Sequence, residues 1–108
     1  MAYQHESQAA GKWHTLSLAE QMGNIGSEVG RAARASGDVV RFEGAVTRAF
    51  ELIDLTINDA RWNKRLKELV RVREVFGDAI SGTQLYNTTV EDLDRYFYHF
   101  AFAARANR

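Results

Sequence analysis

The sequence predicts an all-α protein built as an antiparallel up-down four-helix bundle. Three observations carry that prediction. Apolar residues recur at spacings of three and four in four successive stretches, the period of an amphipathic helix. Two Ser/Thr-x-x-Glu patterns mark helix starts. The 108 residues contain no proline, so no helix interior is broken by one, and no stretch alternates as a half-buried strand does.

The first helix is expected over residues 18–37. Its seam is Leu18, Met22, Ile25, Val29 and Ala32. Ser17 and Glu20 form the cap, Arg31 and Arg34 suit the negative end of the helix dipole, and Gly37 suits a left-handed stop. Beside the seam runs a stripe of small residues: Ala19, Gly23, Gly26, Gly30 and Ala33. Each interior glycine costs a helix about 1 kcal/mol relative to alanine. Close approach of a neighbouring backbone would offset that cost, inside the domain or between subunits. A groove for a partner is the other reading. Gly23, Gly26 and Gly30 are therefore candidate interface residues.

Asp38 can cap a second helix with the seam Val39, Phe42, Val46, Ala49, Phe50, Ile53 and Ile57. Asn58 and Asp59 end it. A third helix is expected over residues 60–81, with Trp62, Leu66, Leu69, Phe76 and Ile80 on its seam and Gly82 closing it. Residues 83–87 read as a polar turn. Thr88 and Glu91 read as the second capping box. The fourth helix carries Leu93, Phe97, Phe100 and Ala104 on its seam, with Tyr96, Tyr98 and Phe102 off it. A helix apolar on so many sides is buried on more than one, and in a short chain the extra side suggests another subunit. Tyr98 and Phe102 join the candidate interface. Residues 1–15 read as a flexible tail and residues 16–108 as the bundle domain. Trp13 is the exception in the tail, placed to cover one end of the core.

Composition bounds the function. Fourteen bases balance fourteen acids, which lowers the expectation of nonspecific nucleic-acid binding. The absence of cysteine removes disulfides and thiol chemistry, and fits a cytoplasmic protein. No apolar run approaches the roughly 20 residues that span a bilayer. The histidines are His5, His14 and His99, with no Glu-x-x-His pattern, so neither a metal site nor a cofactor is expected. Arg95 and His99 have three residues between them. The arginine–histidine pair of helical ribonucleases in the HEPN superfamily has four to six, so no enzyme is expected. The most cationic stretch holds Arg61, Lys64, Arg65, Lys67, Arg71 and Arg73 against the single acid Glu68. Several of these bases would sit in the first turn of the third helix, where the dipole disfavours them. Either they form a solvated face paired with nearby acids, or they await a phosphate or acidic partner.

Gly23-Asn24-Ile25-Gly26-Ser27-Glu28-Val29-Gly30-Arg31, then Arg41-Phe42 and Glu51-Leu52, resembles the four-helix-bundle proteins encoded by ribosomal RNA intervening sequences. Their relatives include the accessory variability determinants of diversity-generating retroelements. The family signature is roughly Asn-Ile-Ala-Glu-Gly with a downstream arginine. Asn24, Ile25 and Arg31 match it and Gly26 replaces the alanine, while Ser27 and Glu28 stand where the family has Glu-Gly. The resemblance spans about residues 17–80. It implies a homo-oligomeric ring, commonly a pentamer. It also implies, through the retroelement relatives, a reverse transcriptase and its RNA bound by a basic surface, here the six bases of the cationic stretch. The expectation drawn from residues and resemblance together is a non-catalytic, self-associating module for assembly or adaptation. A nucleic-acid-binding accessory role for a reverse transcriptase is the alternative.

Overall fold

The computed structural model describes residues 11–106 apart from Ser36, Thr83 and Gln84, and leaves aside the side chains of residues 104 and 105. Residues 1–10 of the tail expected over 1–15 and part of the 83–87 turn therefore lie outside the described residues, as does the side chain of the seam residue Ala104. Four helices pack together: α1 (Leu18–Arg34), α2 (Val39–Ile57), α3 (Leu66–Ser81) and α4 (Val90–Ala106). Short 3-10 turns precede α1 (Trp13–Thr15) and α3 (Ala60–Arg65). Among the described residues there is no strand.

Helix α1 starts where the sequence places it. The Ser17 hydroxyl accepts the Glu20 N–H at 3.1 Å, and the Glu20 carboxylate accepts the Ser17 N–H at 2.9 Å. Both donors would otherwise be orphaned. We expect Ser17→Ala to lower the unfolding free energy by about 1 kcal/mol in urea titration. Asp38 caps α2 by accepting the Arg41 N–H at 3.0 Å. Gly82 closes α3 in the left-handed region at φ 76°.

Two boundaries differ from expectation. The α4 cap is Thr89 with Asp92, one residue later than Thr88 with Glu91: Thr89 Oγ1 accepts the Asp92 N–H and the Asp92 carboxylate accepts the Thr89 N–H, each at 3.1 Å. Thr88 is engaged in the loop, donating its hydroxyl to the Tyr86 carbonyl at 3.1 Å. The helix expected over residues 60–81 is broken at Trp62, whose φ −104° and ψ 21° are not helical. Only Leu66–Ser81 is α-helical.

The core forms where the seams converge. Met22, Ile25 and Val29 of α1 meet Ala49, Leu52 and Ile53 of α2, Leu69, Val72 and Phe76 of α3, and Leu93 and Phe97 of α4. Val39 and Leu66, expected on the seams, are exposed at the first residues of α2 and α3, whereas Leu18 and Val90, the first residues of α1 and α4, pack against the core. Trp13 is buried over one end, and its indole N–H donates to Thr56 Oγ1 at 3.2 Å. The packed domain thus includes the last residues of the expected tail.

Contacts between neighbouring helices run in opposite numerical order. Gly23, Gly26 and Gly30 of α1 face Ala101, Phe97 and Asp94 of α4. Glu28 of α1 pairs with Arg48 of α2 at 2.6 Å. Asp54 and Phe50 of α2 meet Arg73 and Phe76 of α3. The glycine stripe is thereby occupied from within the chain. A Cβ on Gly26 would stand 2.5 Å from Phe97 Cβ, and one on Gly23 3.2 Å from the Ala101 Cα.

Candidate interaction surface

Helix α4 owes its position to the stripe on α1. With no Cβ at Gly23 and Gly26, α4 lies close enough for Leu93 and Phe97 to enter the core. That single buried face leaves Tyr98 and Phe102 turned outward. Each is 60% exposed. They stand at i and i+4 and so share one side of the helix. Arg95 and His99 extend the same strip, both exposed. Arg95 is ion-paired with Asp92 one turn earlier. Tyr98 also reaches the edge of a groove of about 200 Å³ between α1 and α4, lined by the three glycines, Ser27 and Arg34. Of the five candidate interface residues, then, the three glycines form the floor under α4, and Tyr98 and Phe102 face outward. The expectation that α4 is buried on more than one side does not hold within a single chain.

The six bases of the cationic stretch do not form one free surface. Arg61 is folded back on Asp59, with Nη2 at 2.7 Å from Oδ2 and Nε at 3.1 Å from Oδ1. The same guanidinium donates to the Leu16 carbonyl at 2.8 Å. Arg65 pairs with Glu68 at 2.9 Å, and Arg73 with Asp54 at 2.7 Å. The Arg71 guanidinium stands 5.4 Å from the Tyr86 ring centroid. Lys64 and Lys67 are exposed, and no carboxylate among the described residues pairs with them. The dipole argument weakens with the helix boundary. Arg61, Lys64 and Arg65 precede α3, so of these bases only Lys67 lies in its first turn.

What breaks the helix at Trp62 is a buried polar cluster that the sequence analysis did not find. Gln21 is fully buried and uses both ends of its amide. Its Nε2 donates to the Trp13 carbonyl at 2.9 Å and to Asp59 Oδ2 at 3.0 Å, while its Oε1 accepts the Trp62 indole N–H at 2.9 Å. Asp59, 3% exposed, also accepts the Arg61 backbone N–H at 3.1 Å and lies 3.2 Å from His14 Nδ1. The Arg61 guanidinium, aided by Gln21 and His14, holds the Asp59 carboxyl far below the usual carboxylate range, against the opposing effect of burial. Asp59 raises the Arg61 pKa in turn. A signal existed: Gln21 and Glu28 are polar residues seven apart flanking the α1 seam, and both are buried. A second clasp, equally unforeseen, has buried Asp78 accepting the N–H groups of Leu85 at 2.8 Å and Tyr86 at 3.1 Å. It ties the α3–α4 connection to α3.

The hydrogen bonds of both clusters run to neighbouring groups of the chain itself. Arg95 and His99 are both exposed on α4. Among the described residues no group of three His, Cys, Asp or Glu side chains could hold a metal ion, and no helix is long and apolar enough to cross a membrane. No family model, curated protein or solved structure matches this chain.

Proposed function

We propose that this chain is an antiparallel up-down four-helix bundle that self-associates and acts as a non-catalytic assembly or adaptor module, in keeping with a cytoplasmic setting. The opposite numerical order of the helix contacts supports the up-down topology. One observation carries the functional reading: Tyr98 and Phe102 form an exposed aromatic strip on a helix whose other side is locked into the core. Aromatic residues are enriched in protein interfaces, and contiguous exposed apolar patches mark interaction sites. The resemblance to the intervening-sequence proteins points the same way, toward a ring of identical subunits.

The test is light scattering after size exclusion, with and without a short structured RNA. Wild type is expected to run as a multiple of its 12.2 kDa mass, and a Tyr98→Ser/Phe102→Ser variant to run as a monomer with unchanged helix content. A wild-type monomer at micromolar concentration overturns the reading. Mass gained with RNA at low salt and lost at high salt would favour the accessory nucleic-acid role instead. In that case Lys64, Lys67 and Arg71 are the residues to change, since Arg61, Arg65 and Arg73 already hold carboxylates.

A further inference from the structure

The aromatic strip needs an acceptor, and the fold offers one at the turn between α1 and α2. An open groove of about 550 Å³ lies there. Ala35, Val39, Phe42 and Val46 line it, with Ile80 from the last turn of α3. Asp38 and Glu43 stand among its walls. Val39 is 67% exposed and Val40 still more so, although both are apolar and β-branched. The chain's own core does not reach this end of α2.

We infer that this groove receives the Arg95, Tyr98, His99 and Phe102 strip of α4 from a second copy of the chain. The inference rests on the self-association reading above and names the surface that completes it. Position comes first. The four residues stand at i, i+3, i+4 and i+7, so they present one helix face, the form in which a helix enters an apolar groove. Charge comes second. The strip flanks its aromatics with the cation Arg95 and with His99, and the groove flanks its apolar wall with the anions Asp38 and Glu43. No base among the described residues pairs with Glu43. Arg95 and Asp38 are held only by exposed pairs within their own helix turns, to Asp92 and Arg41. Such exposed pairs contribute little to stability, so exchanging them for a partner's charges costs little.

A strip cannot fill the groove of its own chain. Helix α4 is fixed along α1, with Asp94 beside Gly30. Phe102 lies eight residues further along, about 12 Å away from that end, and faces outward. Strip and groove share no residue. Each subunit therefore presents one of each, and the contact runs head to tail. Contacts of this kind close into rings when the rotation per subunit allows it.

The experiment uses two full-length variants, Phe102→Asp in the strip and Val39→Arg in the groove. Both positions are exposed, and circular dichroism checks that each variant folds. Wild type is expected to be a multimer and each variant a monomer. Mixed in equal amounts, the two variants are expected to give a dimer, because one retains a sound groove and the other a sound strip. As a second measurement, Glu43→Arg weakens assembly and adding Arg95→Glu restores it. A wild-type monomer overturns both this pairing and the self-association reading. A wild-type multimer that Phe102→Asp dissociates and Val39→Arg leaves intact overturns the pairing alone. So does a mixture of the two monomeric variants that stays monomeric.

Discussion

An Asp59→Ala variant is expected to lose about 3 kcal/mol of unfolding free energy at neutral pH, which corresponds to a drop of roughly 10 °C or more in Tm. The carboxylate is buried and accepts from Arg61, Gln21 and His14 at once. Its removal leaves one Gln21 donor buried without its acceptor and frees the Arg61 guanidinium from the charge that held it. The effect then propagates. Gln21 also holds Trp13 and Trp62, so the N-terminal turn and the start of the third helical segment loosen together. The pH dependence follows from the direction of the shift. A carboxyl whose folded-state pKa is depressed contributes stability that is fully present above its unfolded value, near 4, and lost as pH falls through the folded value. The difference between wild type and Asp59→Ala should therefore shrink as the pH is lowered from about 5 toward 2. Urea titrations of both proteins at pH 7 and pH 3 check this. An equal difference at the two pH values would show that the carboxylate's charge is not what stabilises the cluster.

The parts of this fold that were readable in the sequence are those decided within one or two helix turns. Ser17 and Glu20 are three residues apart, and their reciprocal hydrogen bonds depend on nothing else. The left-handed stop at Gly82 is equally local. Even the error at the α4 cap was local, because Thr88-Thr89-Val90-Glu91-Asp92 offers two registers of one motif and the loop's claim on Thr88 decides between them. The Asp59 cluster lies at the opposite extreme. Gln21 and Asp59 are 38 residues apart, and no periodicity says that they meet. Because that contact turns the chain at Trp62, one unseen hydrogen-bond cluster also moved the start of α3 and changed the environment of Arg61, Lys64 and Arg65. The candidate interface divides along the same line. The small-residue stripe was visible, but the helix that fills it was not, since periodicity marks a face and says nothing of the neighbour.

That neighbour makes Gly26 the most sensitive of the glycines. Alanine there should improve the intrinsic helix propensity of α1 by about 1 kcal/mol. We nevertheless expect Gly26→Ala to destabilise the protein by about 2 kcal/mol net, because over-packing a close contact costs more than the propensity returns. The new Cβ would lie 2.5 Å from Phe97 Cβ and 3.3 Å from its Cγ. Neither atom is the end of a flexible chain. Phe97 is buried in the core, so α4 itself must move outward. Gly44 supplies the control. It also lies inside a helix, but a Cβ there meets only the end of the Arg48 side chain, at 3.3 Å. Gly44→Ala is therefore expected to be neutral or to stabilise by up to about 1 kcal/mol. Opposite signs for the same substitution in two helices would isolate the α1–α4 approach as the cause. Displacing α4 also displaces Tyr98 and Phe102, so Gly26→Ala should weaken self-association without touching a single exposed residue, and light scattering on the folded variant reads that loss directly. A variant that is destabilised yet assembles as wild type would separate the packing of α4 from the surface it presents.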